Sequence, residues 1–444
     1  MIIEHGLTTK PRQLCAVRPV GFSAVLMAAY LLGSNPVLAL EEQQASYSFY
    51  GFGTLGTVYS DEDQADFVSS WLLQPNGAGH TSEWHGGVDT KIGGQVNAQL
   101  NEQLSAVLQV VMQRQEDNAW TPAVEWANIQ YQLNDELTVR IGRTVVASFM
   151  VSDTRLVGYA NPWIRGPQEV YQIVPITNVD GIDLSYGNYF GELRNTLQVT
   201  YGQTDRDLVQ DGELLARNAF ILSNTMEYGP ATFRLAYISA DATLDTPDSN
   251  ALFDGYAQLG ETLALIPGQE DAAAEATVLS ERYRVEDAPI EIYSAGIRLE
   301  PDNWLLMAEW ARITEAGALP RTDAWYTTIG YRFSSLTPYL TLAKVNARTH
   351  KESGVSSTGM PPALTAATET LNAGLDQLLA QPSPAQRSIT AGLRWDFSAS
   401  AALKLQYQHI ELDEKSAGRL GNVQPGFTPG NRVNTFSAAI DFVF

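Results

Sequence analysis

The sequence predicts an all-β fold: a transmembrane antiparallel β-barrel of sixteen strands, with short turns at one end and long loops at the other. Three observations lead to this prediction. Segments of about ten residues in which apolar and polar side chains alternate follow one another along the chain. The connections between them are alternately short and long. After residue 40, no stretch offers the about 20 apolar residues that a membrane-spanning helix needs.

The first 39 residues are predicted to be a cleaved secretory signal, which leaves residues 40–444 as the barrel. Basic residues open the leader, an apolar core covers residues 21–33, and small residues precede a cleavage site after Ala39. The basic residues are Lys10, Arg12 and Arg18. Cys15, the one cysteine, precedes the apolar core. It would leave with the leader, so neither lipidation nor a disulfide is expected.

The chain is strongly acidic, with a formal charge of −22 from 28 basic and 50 acidic residues. The leader holds three of the basic and one of the acidic residues, so residues 40–444 carry 25 and 49, a net charge of −24. Nucleic acid is not an expected partner, because binding it requires a basic surface.

The segment 388–397 shows the strand pattern most clearly. Successive side chains of a strand point to opposite faces. One face here is apolar, with Ile389, Ala391, Leu393, Trp395 and Phe397, and the other is mainly polar, with Ser388, Thr390, Gly392, Arg394 and Asp396. Sixteen such segments are predicted: 46–59, 86–100, 104–115, 122–133, 136–143, 179–189, 193–204, 217–229, 231–240, 290–300, 304–314, 325–333, 336–346, 387–397, 402–412 and 432–444.

Tight connections are predicted at 101–103, 134–135, 188–192, 229–230, 301–303, 334–335 and 398–401. Long or irregular connections are predicted at 60–85, 116–121, 144–178, 205–216, 241–289, 315–324, 347–386 and 413–431. Short periplasmic turns and long outer loops are typical of outer-membrane barrels. Residues 269–283 and 362–381 have helical spacing. We interpret both as surface-loop structure, and a plug or binding element is the alternative.

A soluble β-sandwich is the competing fold. Its strands average five or six residues, whereas the segments here are longer and carry a Gln-, Thr-, Ser- and Arg-rich polar face. Aromatic residues also lie at strand ends, which indicates two membrane interfaces: Tyr47, Phe49, Tyr59, Tyr131, Tyr186, Tyr189, Tyr201, Tyr228, Trp304, Trp325, Phe333, Phe397 and Phe444. The lumen of a sixteen-stranded barrel is too wide for side chains to fill, so water is expected inside.

Over residues 45–444 the chain resembles the sixteen-stranded porins of Gram-negative outer membranes. Residues 46–53 are similar to the first porin strand, and the last four residues, Asp441, Phe442, Val443 and Phe444, resemble the terminal signal that the barrel-assembly machinery reads. The loop 144–178 follows the fifth strand, where porins fold a loop into the pore. The resemblance implies an outer-membrane location, a homotrimer, contact with lipid and lipopolysaccharide, and Phe444 as the assembly signal.

The candidate site residues are charged groups on the third loop and on the polar wall face. The loop supplies Asp153, Arg155, Arg165 and Glu169; the wall supplies Lys91, Arg140, Asp183, Arg298, Arg332 and Arg394. Further charges predicted to face inward are Arg194, Arg234, Lys404, Asp89, Glu309 and Asp396, although the strand position of Glu309 is ambiguous. The alternative for the loop is that Arg155 and Arg165 pair with Asp153 and Glu169 and only hold its shape.

A basic-leaning wall below acidic loops predicts a mild preference for anions in a channel for passive diffusion of small hydrophilic solutes and ions. A substrate-specific channel for small anionic or organic solutes is the alternative. Catalysis is not expected, because the four histidines after the leader form no recognisable metal or Ser-His arrangement: His80, His85, His350 and His409. No cofactor or metal is predicted.

Overall fold

The computed structural model describes residues 45–348, 352–380 and 384–444. The predicted leader and His350 lie outside these residues. Sixteen long strands form the wall: β1 (Ser46–Ser60), β2 (Lys91–Gln99), β3 (Leu104–Arg114), β4 (Trp120–Gln132), β5 (Leu137–Val145), β6 (Asn178–Phe190), β7 (Leu193–Leu208), β8 (Gly212–Tyr228), β9 (Ala231–Asp245), β10 (Ala288–Leu299), β11 (Trp304–Ile313), β12 (Thr322–Tyr331), β13 (Leu336–Ala347), β14 (Gln386–Ser398), β15 (Ala401–Leu412) and β16 (Arg432–Val443).

The sheet closes on itself, which confirms the predicted antiparallel barrel of sixteen strands. Each strand pairs antiparallel with its sequence neighbours, and β1 pairs with β16 from Phe52 opposite Val443 to Ser60 opposite Thr435. Phe444 extends this seam, since its N–H donates to the carbonyl of Gly51 at 3.0 Å. A Cβ on Gly51 would lie 2.1 Å from the Phe444 ring, so the glycine makes room for the terminal aromatic side chain.

The two faces of the wall differ as the alternation predicts. On β12, Thr328 points inward and is fully buried, whereas Ile329 is 43% exposed on the outside. Trp325 and Leu342, on β12 and β13, are likewise exposed on the outer face. Apolar side chains left uncovered around a closed sheet are what a hydrocarbon surround requires.

One predicted connection, 205–216, is wrong. Strands β7 and β8 extend through it, and only residues 209–211 separate them. Asp205 and Asp207, which fall within this predicted connection, therefore lie on β7. The apolar pattern is weak here because residues 205–207 and 210–213 carry no apolar side chain, whereas the ladder between the strands needs only backbone hydrogen bonds. On β8, register shifts between Ala216 and Phe220 add an extra residue and interrupt its alternation, whereas the alternation of β7 continues.

The first and eighth long loops, residues 61–90 and 413–431, are joined by a buried carboxylate. Asp66 is fully buried and accepts hydrogen bonds from the N–H of Thr81 at 2.8 Å and the side chain of Asn422 at 2.7 Å. The backbones of Asp66 and Gly421 also exchange two hydrogen bonds of 2.9 Å. These contacts hold the two loops together at the long-loop end.

In the described residues of the long loops there are four α-helices: α1 (Gln168–Tyr171), α2 (Pro247–Leu263), α3 (Glu270–Arg282) and α4 (Pro362–Ala380). Helices α3 and α4 confirm the helical spacing seen in the sequence. The sequence analysis missed α2, although its start carries a signal. Thr246 caps it by accepting a hydrogen bond from the N–H of Ser249 at 3.3 Å, and Pro247 occupies the first turn. Among the described residues, no helix combines the length and apolar character needed to cross a bilayer.

Helices α2, α3 and α4 pack around an apolar cluster of their own, which includes Phe253, Tyr256, Leu259, Leu263, Leu279 and Leu375. Polar contacts join the fifth and seventh loops at its edge. Tyr256 donates to Asn372 at 2.9 Å, and Arg282 and Tyr283 bind the carboxylate of Glu352 at 2.6 and 2.9 Å. The two loops therefore form one packed helical unit.

The Glu352 contact should depend on pH. Partial burial opposes ionisation of Glu352, but hydrogen bonds from Tyr283, its neighbour's backbone N–H and Arg282 outweigh burial and lower its pKa. A lowered folded pKa adds stability above the unfolded value of about 4.3, and this stability is lost as the pH falls through the folded pKa. We expect faster hydrogen exchange in residues 352–360 below that pH, after correction for intrinsic rates.

The matched variants are Glu352→Gln and Glu281→Gln. The first should exchange fast already at pH 7, by a factor that corresponds to about 1 kcal/mol or less for a partly exposed pair. The second, an exposed carboxylate on α3, should behave like the wild type. Equal protection in all three proteins at pH 7 would show that Glu352 does not hold the loops together.

Candidate functional site

The third loop, residues 146–177, folds into the barrel. Its side chains form one apolar cluster with inward-facing residues of the wall from β8 to β13. Loop members of the cluster are Val146, Phe149, Val151, Trp163, Val170, Tyr171, Ile173 and Val174; wall members include Ile221, Ile238, Ile292, Met307, Tyr326 and Tyr339. The predicted infolded loop is thus present, and the wall opposite it is apolar where the loop packs.

Two aromatic side chains of the loop place polar groups in this cluster, and these groups form hydrogen bonds with residues of the wall. Trp163 is 1% exposed, and its indole N–H donates to Thr328 at 3.2 Å and Thr341 at 3.1 Å. Tyr171 donates to the carboxylate of Glu309 at 2.9 Å, and the same carboxylate accepts the N–H of Met150 at 2.8 Å. Glu309 therefore faces inward, and every one of these bonds fixes the loop to the wall.

The strongest anchor is Lys404 on β15, which is completely buried. Its ammonium group donates to the carbonyls of Gly158, Asn161 and Trp163, each at 2.8 Å. The same nitrogen lies 2.6 Å from a carboxylate oxygen of Asp441, also fully buried. A lysine has three protons to donate, so three loop carbonyls and one counter-ion surround it.

Arginine side chains of the wall and loop complete the attachment. Arg394 donates to the carbonyls of Tyr159 at 2.6 Å and Asn161 at 2.9 Å. Arg234 donates to the carbonyl of Phe149 at 2.7 Å and to Asp153 at 3.0 Å. Inward-facing cations of the wall are thus partly used to hold loop carbonyls.

The alternative pairing of loop charges with one another does not occur in the structure. Arg165 forms a two-pronged ion pair with Asp89, with one bond of 2.8 Å and the other of 2.5 Å. Arg155 donates to the carbonyls of Tyr171 at 2.7 Å and Val174 at 3.1 Å. Glu169, fully buried, accepts from Gln386 at 2.8 Å. Each of these groups has a partner far away in the sequence or on the backbone, which spacing alone does not reveal.

A cleft of about 120 Å³ remains between the third loop, the first loop and the wall of β2, β3 and β7. Five cationic side chains line it: Lys91, Arg114, Arg155, Arg165 and Arg206. Neutral polar groups supply much of the remaining lining, among them Gln74, Gln113, Gln172, Asn161 and Thr177. Among the described lining residues, Asp89 is the one carboxylate, and Arg165 already binds it.

Most of the cations in this cleft have neutral partners. Arg206 donates to the amide oxygen of Gln115 at 3.3 Å, and Arg114 binds the side chain and carbonyl of Asn76. Within the described part of the chain, Lys91 has neither a hydrogen bond nor an ion pair through its side chain. Five positive groups and one carboxylate leave a net charge of about +4 facing the cleft. Anions would be stabilised there.

The remaining predicted residues face the lumen but do not line this cleft. Arg140 pairs with Asp183 at 2.6 Å, and Asp183 also accepts from Gln198 and Thr200. Arg298 pairs with Glu300 at 2.8 Å. Both Arg298 and Arg332, which follows β12, lie near the short turns.

Two cleft residues, Arg114 and Arg206, were not among the candidates. Arg206 lies in the segment 205–216, which the sequence predicts as a connection. It shares the inward face of β7 with Gln198 and Thr200, so the alternation of β7, extended past Thr204, predicts its position. Arg114 is the last residue of β3, and an even number of positions separates it from Leu108, which is exposed on the outer face. The alternation alone therefore places Arg114 on the outer face. Only the fold of the first loop, through Asn76, places it at the cleft.

Comparisons with known proteins bear on the fold. No protein-family model matches the chain, and no curated protein matches it. The outer membrane channel DcaP of Acinetobacter baumannii is similar in structure with a TM-score of 0.51 at 12% identity, over 91% of this chain and 99% of that one. OmpF of Salmonella typhi, in a complex with daunomycin, gives 0.50 at 12% identity, over 90% and 97%.

At this identity the likeness shows the fold alone. It agrees with the closed wall of sixteen antiparallel strands, and the chain therefore has the barrel fold of the outer-membrane porins. The resemblance predicted from the sequence is confirmed at this level.

Replacing the central anchor should release the third loop. Lys404→Met leaves Asp441 as an uncompensated buried charge and three carbonyls without their donor, which is expected to cost about 3–5 kcal/mol. Guanidinium unfolding measures the loss, and trypsin cleavage at Arg155 or Arg165 reports release of the loop. Lys344→Met, on the outer face, serves as the control and should change neither.

The double variant Lys404→Met/Asp441→Asn removes both charges. It should recover part of the lost stability, because no unpaired charge then remains buried. A single variant as stable and protease-resistant as the wild type would show that Lys404 is not the anchor.

Proposed function

We propose that the protein is an outer-membrane porin, a water-filled channel for passive diffusion of small hydrophilic solutes and ions that favours anions. The observation that carries this proposal is the cationic cleft beside the third loop, inside a barrel that resembles solved outer-membrane channels. Passive passage requires no chemistry at this site. It requires that the lining stabilise a partly dehydrated ion without holding it tightly.

The position of the charges decides their effect on selectivity. The chain as a whole is acidic, but loop charges at the mouth are screened over about 8 Å at physiological salt. An ion in the cleft passes much closer to Lys91, Arg155 and Arg206, and low-dielectric walls focus their field. The local positive charge therefore outweighs the acidic total for a permeating ion.

A substrate-specific channel for small anionic or organic solutes is the second candidate. The narrowness of the cleft favours it, because a solute in about 120 Å³ must touch the lining. Guanidinium groups of Arg155 and Arg206 offer several donors in a fixed plane, which matches a carboxylate better than a spherical ion. Chemistry would then sort solutes in addition to size.

The remaining expectations belong to the same proposal. We propose export by the leader 1–39, location in the bacterial outer membrane, assembly as a homotrimer, and recognition of Phe444 by the barrel-assembly machinery. Phe444 is 76% exposed at the seam, which leaves its ring accessible to such a partner. Contact with outer-membrane lipid and lipopolysaccharide, and the absence of catalytic activity, are part of the proposal as well.

Ion selectivity tests the role of the cleft. Reversal potentials in planar bilayers under a KCl gradient should show chloride preferred over potassium. Removing a unit positive charge about 7 Å from the ion costs chloride roughly 0.6 kcal/mol in water and favours potassium by the same amount, so each cation removed should lower the chloride-to-potassium permeability ratio about eightfold. Lys91→Gln/Arg206→Gln should therefore lose most of the preference, whereas Arg298→Gln should keep it. Strong cation selectivity of the wild type would overturn the proposal.

Liposome swelling separates the two candidate functions. For a general pore, the rates for sugars, amino acids and dicarboxylates should follow solute size alone. For a specific channel, a dicarboxylate should enter several times faster than a neutral solute of equal size, and Lys91→Gln/Arg206→Gln should abolish the difference. No swelling with any of these solutes would contradict both functions.

A further inference from the structure

A row of charged side chains crosses the outer face of the barrel at its long-loop end. The strand register places Lys344 opposite Arg387, Arg387 opposite Glu411, and Glu411 opposite Arg432. These four residues lie on the neighbouring strands β13, β14, β15 and β16. Strands are spaced about 4.8 Å apart, so the row is a continuous band about 14 Å wide; we call it the basic row.

The basic row points away from the lumen. Each member shares its face of the strand with exposed apolar side chains two or four residues away: Leu342 for Lys344, Ile389 for Arg387, Tyr407 for Glu411 and Phe436 for Arg432. Arg387 and Arg432 are themselves 68% and 71% exposed. These charges therefore cannot line the pore, and the proposed channel function does not use them.

The row lies where the apolar band of the wall ends. Trp325, directly opposite Lys344 in the register, is the kind of aromatic residue that marks a membrane interface. Leu342 and Ile389 are two residues nearer the short turns, about 7 Å along a strand. Charges immediately beyond an aromatic and aliphatic band fall at the level of lipid headgroups.

Cations outnumber carboxylates in and around the row. Next to it on the same outer face lie Arg312, Arg321 and Arg348, with the backbones of Arg348 and Arg321 joined by a hydrogen bond of 3.0 Å. Six cations thus lie among three carboxylates: Lys344, Arg312, Arg321, Arg348, Arg387 and Arg432 with Asp323, Glu411 and, hydrogen-bonded to Asn434 beside Arg432, Asp61. The outward charges of β7 to β9 are mainly acidic, with Asp205, Asp207, Glu213, Asp241 and Asp245.

The basic row has unused donors. Arg387 and Arg432 both contact the single carboxylate of Glu411, the latter at 3.5 Å. A shared carboxylate leaves guanidinium N–H groups on both arginines free for another anion. In the part of the chain that the structure describes, the side chains of Lys344 and Arg348 have no hydrogen bond or ion pair.

We propose that the basic row binds the phosphate groups of lipid headgroups in the leaflet around the long-loop end. The site rests on the proposed location of the barrel in a membrane. An anion on an apolar tail fits it in two ways. Arginine forks bind phosphate oxygens in pairs, and the acyl chain then runs down past Leu342 and Ile389. A second copy of the chain could present its acidic β7–β9 face and match the charge of the row. That face offers no acyl chain to cover Leu342 and Ile389 next to the row.

The test measures lipid binding to the detergent-solubilised, folded protein. Native mass spectrometry follows titration with phosphatidic acid, a phosphomonoester lipid, and separately with phosphatidylcholine, which has no net charge. The wild type should bind phosphatidic acid well above phosphatidylcholine. Arg387→Gln/Arg432→Gln should weaken phosphatidic acid binding roughly 25-fold, from about fivefold per surface cation. Inorganic phosphate should displace the lipid only weakly, because it lacks the acyl chains.

The matched control is Arg143→Gln/Arg217→Gln, which removes two arginines from the same end of the outer wall on its other half. It should bind phosphatidic acid like the wild type. Lys344→Glu, which reverses one charge of the row, should weaken binding as well. Heat-modifiable electrophoretic migration confirms that each variant is a folded barrel.

Three results would overturn the proposal: equal binding of both lipids, equal loss in both double variants, or full displacement by inorganic phosphate at equal concentration. If the row instead binds a second copy of the chain, Arg387→Gln/Arg432→Gln should lose self-association in sedimentation while its lipid binding stays unchanged. That result would also refute the proposed lipid site. Channel conductance of all variants should match the wild type. A wild type that binds lipid but does not conduct would refute the channel function and leave the lipid site standing.

Discussion

Hydrocarbon offers no hydrogen-bond partner to a peptide group, so the structure depends on the pairing of β1 with β16. That seam, extended by Phe444 on Gly51, leaves the wall without a free edge. Closure also gives the wall an inner and an outer face. Each strand therefore meets hydrocarbon on its outer face and water or the third loop on its inner face. Apolar and polar side chains alternate along each strand because its two faces have these different surroundings.

The interior is divided a second time by the third loop. One side of the lumen, from β8 to β13, is apolar and packed against the loop, while the side near β2, β3 and β7 keeps the cationic cleft. Burying a loop backbone inside a barrel requires donors for its carbonyls. Lys404 and Arg394 supply them, so some of the inward-facing cations serve the loop and others face the cleft.

Local charge, more than total charge, determines what the molecule attracts. A chain with a net charge of −22 nevertheless presents positive groups in its cleft and in the basic row. Asp89 illustrates how this is achieved, because Arg165 neutralises it and leaves the neighbouring cations unopposed. On the outer face, Glu411 similarly serves two arginines at once. The acidic surplus lies elsewhere, largely on loops and on the outer face of β7 to β9.

The amino-acid pattern alone predicts the sixteen strands, their inward and outward faces and the helices α3 and α4, whereas the infolding of the third loop is expected only from the porin resemblance. The features predicted from the pattern are local, because alternation and helical spacing repeat within a few residues of the chain. The sequence did not predict the extension of β7 and β8 through 205–216, because backbone pairing continues there although the apolar alternation weakens. The helix α2 escaped although Thr246 and Pro247 mark its start.

Which charged groups pair with one another depends on the tertiary structure. Arg165 and Asp89 are 76 residues apart, and Lys404 binds loop carbonyls more than 240 residues away. Such partners depend on the path of the loop through the closed barrel, and no spacing within the chain encodes that path. The same holds for Arg114, whose strand position resembles that of the exposed Leu108 until the first loop folds over it. The cleft thus follows from closure and loop path together, whereas the wall follows from the sequence.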